Sequence, residues 1–327
     1  MRTGVMICGH GSRDPDAIRE FSSLKAGLTT RLPEYDVDSG FLEFATPVIR
    51  EGLDALAERG MERIIAIPGM LFAAGHVKND VPSEINEFSR AHPDIDVRMG
   101  RDLAIDPKLL AACKERIEEA LAANPSDVAR EDTLLMVVGR GTNDADANSN
   151  VSKVARMLWE GMGFGWAEVC YSGVAHPRVA PGLERATKLG FKRVIVFPYF
   201  LFTGILIKRI RDETAKVRAA NPEIDYIDAP YLADHPKVLD AFADRVAETL
   251  TGDNAMNCML CKYREQIIGY EGEVGTPQVG HHHHVRGAGV DGHDHDHGHG
   301  HGHGHSHSHG YSHDHGHHHK HSHDDDA

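Results

Sequence analysis

Two histidines near the start of the sequence each follow an apolar run and stand beside glycine. His10 lies between two glycines after the run 5–8, and His76 follows Gly75 after the run 63–68. Neutral imidazoles bind borderline divalent metals such as cobalt, nickel, iron and zinc. An ordinary imidazole pKa of about 6.5 also suits a general base at pH 7. The pair therefore predicts a site for metal binding or proton transfer.

The first 125 residues or so alternate apolar runs with segments of helical periodicity. This alternation predicts a parallel sheet with helices on both faces, and ligands bind such sheets beyond the carboxyl ends of the strands. Glu43 ends the second predicted strand, so we expect it on the same edge as the two histidines. The predicted strands are Gly4–Cys8, Val37–Glu43, Arg63–Pro68 and Ile95–Met99, and the predicted helices are Asp16–Leu32, Pro47–Glu58, Val81–Arg90 and Pro107–Leu121.

An internal repeat accounts for the length of 327 residues. The stretch GMERIIAIPGMLF (60–72) matches GFKRVIVFPYFLF (190–202) at an offset of 130, and the offset becomes 129 from residue 92 onward. One residue has therefore been lost between the two matches. We predict an α/β protein of two tandem domains of the same plan, 1–128 and 131–250, followed by a different segment, 251–327.

The second half lacks the acid–base and ligand residues of the first. Arg140 stands where the first half has His10, Gly173 where it has Glu43, and Leu206 opposite His76. The sequence thus predicts one active half and one supporting half. The cations that remain would contact the carboxylates of an anionic substrate or form a solvated helix face. They are Arg140, Lys208, Arg209 and Arg211.

Composition narrows the classes of function. A formal net charge of -14 argues against non-specific nucleic-acid binding. The opening residues do not resemble a signal peptide, and the longest apolar run, 194–207, is too short to span a bilayer. We therefore expect a soluble cytoplasmic protein with no membrane or nucleic-acid partner. Cys8, Cys113 and Cys170 lie in apolar or helical patterns, so we expect buried thiols rather than disulfides.

The last 77 residues have a different character. Of the 25 histidines, 20 lie from His281 to His323 among Gly, Ser and Asp, a composition that cannot build a core and is typical of disorder. These imidazoles would bind nickel, cobalt or zinc loosely, as a store or delivery arm for metal or as a passive sponge. Cys258 and Cys261 form a Cys-x-x-Cys pair, which could hold an iron–sulfur cluster, bind zinc or act as a redox pair. The pair alone does not decide between these roles, since a cluster normally needs four cysteine ligands.

Three motifs carry a resemblance to a known family. GHGSRD (9–14), LEFATP (42–47) and LFAAGHVKNDVP (71–82) resemble the CbiX/SirB family of class II chelatases, which insert a divalent metal into sirohydrochlorin. The chain is similar to the long form, in which two domains are fused and followed by a Cys-x-x-Cys and a His-rich tail. The resemblance implies that His10 and His76 bind the incoming metal, that His10 also accepts a proton, and that Glu43 and the loop 71–76 touch the tetrapyrrole. The predicted catalytic residues are His10, Glu43 and His76.

The resemblance also implies substrate contacts and a cofactor. An iron–sulfur cluster at Cys258 and Cys261 would be completed across a homodimer or by tail histidines; without a shared cluster, the fused domains would form a monomer. Because sirohydrochlorin is a polycarboxylate, Lys78 is a further suggested anchor. The predicted substrate-binding residues are Ser12, Arg13, Glu43, Leu71, Phe72, Ala73, Ala74, Gly75 and Arg140.

Taken together, the sequence predicts a sirohydrochlorin cobaltochelatase that inserts Co2+ for cobalamin biosynthesis. Insertion of iron or nickel, for siroheme or a related cofactor, is the first alternative, because two histidines and a glutamate do not select one metal. A metal-storage or chaperone protein without catalysis is the second. The expected partners are sirohydrochlorin and a divalent metal ion.

Overall fold

Two four-stranded parallel sheets, one in each half, form the framework of the protein. The computed structural model describes residues 1–252 and 271–276. The sheet orders are β2-β1-β3-β4 and β6-β5-β7-β8, and helices flank both sheets, which confirms the predicted fold class. The first half contains β1 (Thr3–Gly9), α1 (Pro15–Arg31), β2 (Asp36–Phe41), α2 (Ile49–Glu58), β3 (Arg63–Pro68), a π-helix (His76–Asp80), α3 (Val81–Ala91), β4 (Asp96–Met99) and α4 (Pro107–Ala123). The second contains a 3-10 turn (Arg130–Asp132), β5 (Thr133–Gly139), α5 (Ala145–Met162), β6 (Trp166–Tyr171), α6 (Val179–Thr187), β7 (Arg193–Pro198), α7 (Ile205–Ala220), β8 (Asp225–Asp228) and α8 (Pro236–Thr251), and a 3-10 turn at Glu271–Glu273 follows.

Local sequence signals set the helix ends. Asp14 and Asp106 each accept a backbone N–H of the helix that follows, and a proline occupies the first turn of α1 and of α4. Gly163 and Gly252 end α5 and α8 in the left-handed conformation that glycine adopts at little cost. Among the described residues, no helix has the length and apolar character needed to cross a membrane.

The second strand is shorter than predicted. It ends at Phe41, and the next two residues bond to the turn after β1: Leu42 N–H donates to the Gly9 carbonyl and Glu43 N–H to the His10 carbonyl. The apolar pattern continues to Leu42, but these bonds to the turn replace the regular ladder. Glu43 therefore lies in a loop that is fastened directly to the loop of His10.

A π-helix accounts for the change of offset between the halves. Strands β3 and β7 begin 130 residues apart, whereas β4 and β8 begin 129 apart. The segment between them contains the π-helix His76–Asp80 in the first half, while the second half has the regular helix α7. A π-helix is an α-helix with one residue inserted, and such insertions are frequent at functional sites. The extra residue of the first half thus lies directly at His76.

The last helix of each half packs against the other half. Helix α8 contacts α1, α4 and β3, and helix α4 contacts α5 and β8. One continuous core between the two sheets accordingly contains Ile7 and Ile67 of the first half with Val137 and Ile195 of the second. The sequence boundary near residue 130 therefore does not separate two independently packed bodies.

A buried arginine fixes α8 to the first half. Arg245 is 1% exposed and donates to the carbonyl oxygens of Asp102 and Leu103 at 3.1 and 2.7 Å. It also pairs with the Asp106 carboxylate at 2.8 Å and with Glu248 at 2.6 Å. All of these acceptors except Glu248 belong to the segment before α4. The guanidinium thereby satisfies polar groups that have no access to water.

Replacing this arginine should destabilise the whole chain. Arg245→Ala removes the only cation among the described residues that pairs with the buried Asp106 carboxylate, and a donor to two carbonyls, so the free energy of unfolding should fall by about 3–5 kcal/mol. Denaturant unfolding followed by circular dichroism measures it. The control is Arg156→Ala, which removes a side chain that is 62% exposed and paired with Glu160, at a cost below about 1 kcal/mol. Equal losses in the two variants would contradict the assigned role of Arg245.

Candidate metal centre

Three side chains meet at the carboxyl edge of the first sheet. His10 follows β1, Glu43 lies two residues after β2, and His76 begins the π-helix after β3. One ligand atom from each lies within 4.8 Å of those of the other two. The sequence predicted that these residues share one edge, and the structure brings them together.

The hydrogen bonds of the two imidazoles determine which nitrogens face each other. His10 Nδ1 lies 3.0 Å from the Gly11 carbonyl oxygen, and His76 Nδ1 lies 2.8 Å from a carboxylate oxygen of Asp80. Because both partners only accept, each Nδ1 carries a proton, and in the neutral form of each ring the Nε2 carries a lone pair. The two Nε2 atoms are 3.1 Å apart. Two neutral imidazoles in this orientation direct their lone pairs to one point, as the ligands of a metal ion do.

Glu43 adds a carboxylate to the same point. Its Oε1 lies 3.5 Å from His10 Nε2, and the residue is 6% exposed. Gly11 permits this approach: its φ is +99°, and a Cβ there would lie 1.7 Å from the Glu43 carbonyl oxygen. Any other residue at this position would push the Glu43 loop away. The glycine after His10 is therefore a steric requirement of the site.

The surroundings keep His10 neutral. Burial is the largest cause, and with the charges of Arg140 and His76 it lowers the pKa of His10 to about 3, against smaller opposing effects of Glu43 and the Gly11 carbonyl. Arg140 comes from the second half, and its Nη2 lies 3.5 Å from His10 Nε2. At neutral pH the imidazole is therefore in the form that binds metal. Burial also lowers the pKa of Arg140.

Asp80 is a functional candidate that the sequence reasoning missed. It is 1% exposed, and its carboxylate receives the Nδ1–H of His76 four residues earlier. Such a carboxylate orients a metal-binding imidazole and raises its basicity. The spacing of four residues within the helix that follows His76 was the available signal. We assign Asp80 a positioning role.

The other predicted substrate-binding residues line the approach to this centre or support it. Arg13 lies over the ring of Phe44, 5.2 Å from its centroid, and that ring stacks beside His10 at 6.2 Å. Ser12 Oγ accepts the Asp14 N–H, so it stabilises the turn. In the loop before His76, Ala73 is buried and donates its N–H to Asp102, Leu71 and Phe72 pack on the central core, and Ala74 and Gly75 are half-buried.

Lys78 does not have the role suggested for it. Its ammonium lies 2.7 Å from Asp144 and 3.5 Å from Asp146, and the side chain is 2% exposed. The equivalent lysine of the second half, Lys208, pairs with Asp14 at 2.6 Å. These two ion pairs cross between the halves on either side of the centre. Lys78 therefore joins the halves, and its suggested contact with a substrate carboxylate is wrong.

The second half keeps the backbone of the site without its chemistry. A Cβ on Gly141 would lie 2.0 Å from the Gly173 carbonyl oxygen, which repeats the contact of Gly11. Within residues 1–252 and 271–276, the only metal-binding group of three is His10, Glu43 and His76. Cys8, Cys113 and Cys170 are buried and free, as predicted. Cys258, Cys261 and the histidines from His281 to His323 lie outside the described residues, so their metal binding stays a prediction.

Comparisons with known proteins show which family this chain resembles. The family model CbiX matches residues 4–120 and 134–249. A sirohydrochlorin cobaltochelatase of Priestia megaterium is 36% identical over 269 residues, 81% of this chain and 85% of the relative. A sirohydrochlorin ferrochelatase of the same organism is 31% identical over 251 residues, 76% of this chain and 90% of the relative.

Solved structures of similar proteins share the fold. SirB from Bacillus subtilis with Fe3+ has a TM-score of 0.68 at 28% identity and covers 79% of this chain and 100% of its own. SirB from Bacillus subtilis subspecies spizizenii in complex with cobalt has a TM-score of 0.64 at 26% identity, with coverages of 77% and 97%. Because the family model matches both halves and most of the chain, the protein belongs to the CbiX family.

Proposed function

We propose that this protein is a sirohydrochlorin cobaltochelatase, a lyase that inserts Co2+ into sirohydrochlorin on the route to cobalamin. The observation that carries the proposal is the pair of Nε2 atoms 3.1 Å apart, with the Glu43 carboxylate beside them. The metal is a substrate, held briefly and then released into the macrocycle. A centre with three protein ligands, whose two imidazoles are 27% and 30% exposed, suits such transfer better than permanent storage.

Support for cobalt comes from the relatives rather than from the ligands. The relative at 36% identity is named a cobaltochelatase, whereas relatives at 31% and 28% are named ferrochelatases. Two imidazoles and a carboxylate bind nickel more tightly than cobalt, and cobalt more tightly than iron, so affinity alone does not select cobalt. The supply of each metal in the cell would then decide which metal the enzyme inserts.

Metal insertion must remove two pyrrole N–H protons and strip water from the metal. In the proposed mechanism, His10 and His76 replace metal-bound waters with their Nε2 atoms, while Asp80 keeps the His76 ring oriented. Because the pKa of His10 is lowered to about 3, this ring serves better as a ligand than as a base. We therefore assign proton removal to the Glu43 carboxylate, whose Oε1 lies 3.5 Å from His10 Nε2. It would take one pyrrole proton at a time and release the first to water before it takes the second. The approaching cation also acidifies the pyrrole N–H groups.

Guanidinium groups on both sides of the centre would hold the carboxylates of sirohydrochlorin. Arg13 lies beside Phe44 on the first half, and Arg140 reaches His10 from the second. Arginine suits this role because its planar donors match a carboxylate. On this proposal the first half performs the chemistry and the second half binds substrate.

A visible-absorbance assay tests the proposal directly. The spectrum of sirohydrochlorin should change on addition of enzyme and Co2+, faster than with Co2+ alone, and Fe2+ and Ni2+ are run in parallel. If the enzyme inserts Fe2+ faster than Co2+, the protein is assigned as a ferrochelatase instead of a cobaltochelatase. Absence of enzymatic acceleration with every metal would favour the storage function suggested by the 20 histidines from His281 to His323.

Substitutions should separate the two halves. His10→Ala and His76→Ala each remove one of the two facing nitrogens, so metal insertion should fall by at least about 100-fold. Arg140→Ala should mainly raise the KM for sirohydrochlorin. Leu206→Ala, at the second-half position equivalent to His76, is the matched control and should keep turnover. Near-normal turnover of His10→Ala together with an inactive Arg140→Ala would show that the active centre lies in the second half and that our assignment is wrong.

Deleting residues 281–327 should affect insertion only when metal is scarce. The proposed catalytic residues lie between His10 and His76, so turnover at saturating cobalt should be unchanged. Tethered weak sites raise the local concentration of metal, so the truncated protein should be slower at low free cobalt. Below about pH 6 the ordinary imidazoles of the tail protonate and release metal, and the difference should vanish. Superimposable curves of initial rate against free cobalt at pH 7.5 would exclude a delivery role.

A further inference from the structure

Two aliphatic side chains of the second half are exposed at the edge that faces the metal centre. Val174 is 58% exposed and Ile205 is 60% exposed. Val174 occupies the repeat position of Phe44, and Ile205 that of Gly75. Single exposed apolar residues are ordinary, but two beside a candidate active site suggest contact with a ligand.

The backbone places both residues beside the loop of His10. Gly173, next to Val174, donates its N–H to the carbonyl of Arg140, whose guanidinium reaches His10. Ile205 follows Gly204, and a Cβ added to Gly204 would lie 4.0 Å from Ser12 Oγ. Ser172 Oγ donates to the Leu206 carbonyl at 3.2 Å and joins the two loops. Val174 and Ile205 therefore lie on connected loops that adjoin the metal centre.

The backbone conformation of Val174 is shared with its equivalent in the first half. The φ of Val174 is +46° and that of Phe44 is +64°, so the left-handed turn belongs to both halves. Glycine or asparagine would adopt this conformation at lower cost than valine or phenylalanine. Each half nevertheless places an apolar side chain at this turn, beside the loop that follows its first strand.

Guanidinium groups lie beside the loop that carries Val174. Arg178 and Arg209 each donate to the carbonyl of Ser172, at 3.4 and 3.3 Å, and neither is in an ion pair within the described part of the chain. Arg140 adds a third guanidinium on the side of His10. An apolar surface bordered by cations complements a macrocycle with apolar faces and a rim of carboxylates.

We propose that Val174 and Ile205 form an apolar platform that contacts one face of sirohydrochlorin and holds the macrocycle against the metal centre. This inference rests on the proposed function and names the part of the second half that binds the substrate. Phe44 and Arg13 provide the corresponding apolar and cationic groups on the first half. The platform acts on substrate binding and takes no part in metal binding.

The test measures binding without turnover and then the kinetics. Val174→Asn, which suits the left-handed backbone, and Ile205→Ser should each raise the Kd for metal-free sirohydrochlorin about tenfold, measured by fluorescence titration of the full-length protein. The KM for sirohydrochlorin should rise in parallel, while kcat and the KM for Co2+ stay unchanged. The conservative variants Val174→Ile and Ile205→Val should bind nearly as the natural protein does.

The matched control is Leu189→Ser. Leu189 is 49% exposed but lies before β7, at the opposite end of the sheet, so its Kd should not change. An unchanged Kd in the double variant Val174→Asn/Ile205→Ser, with normal metal insertion, overturns the platform and leaves the proposed function in place. If the variants bind sirohydrochlorin more weakly but the natural protein inserts no metal, the proposed function is overturned and the platform stands. A natural protein that does not bind sirohydrochlorin overturns both.

Discussion

The close approach of two imidazole nitrogens is the constraint around which this structure is organised. His10 and His76 present their Nε2 atoms to each other at 3.1 Å. A backbone carbonyl behind one ring and the buried Asp80 carboxylate behind the other hold both rings in this orientation. Both Nε2 atoms are thereby directed to one point beside the Glu43 carboxylate, an arrangement that is preorganised for a metal ion.

Rigid support outside the centre makes this arrangement possible. The loop of Glu43 bonds to the loop of His10 through backbone groups, and Gly11 leaves room for that contact. Lys78 and Lys208 pair with Asp144 and Asp14 across the boundary between the halves. Each aspartate also caps a helix. The same carboxylates therefore fix where the helix starts and hold the two halves in position relative to each other. The two halves thus share this scaffold, while among the described residues only the first half has the three candidate metal ligands.

The sequence predicted the parts of the fold that depend on local pattern. Apolar runs and helical spacing predicted both sheets, and the rule that ligands bind at the carboxyl ends of parallel strands predicted the meeting of His10, Glu43 and His76. The end of β2 was wrong by two residues, because bonds to a distant turn stop the ladder at Phe41.

Features that depend on contacts between the halves could not be predicted in this way. Lys78 looks like a substrate anchor until its distant partner Asp144 is known, and Asp80 gains its role only when the helix brings it behind His76. The offset between the repeats in the two halves changes from 130 to 129, and this change did point to the site. The extra residue of the first half lies in the π-helix that begins at His76.

The packing of the last helix of each half against the other half limits how the two halves can move. Helix α8 packs on α1 and β3 of the first half, and the buried Arg245 fixes it there, while α4 packs on α5 and β8 of the second. A hinge motion that separated the halves would pull both helices from the central core and expose apolar surface to water. The two halves therefore cannot separate as a clamp opens without that cost. On the proposed function, a macrocycle would enter and its metal complex would leave through local displacements of the loops around His10, Glu43 and His76.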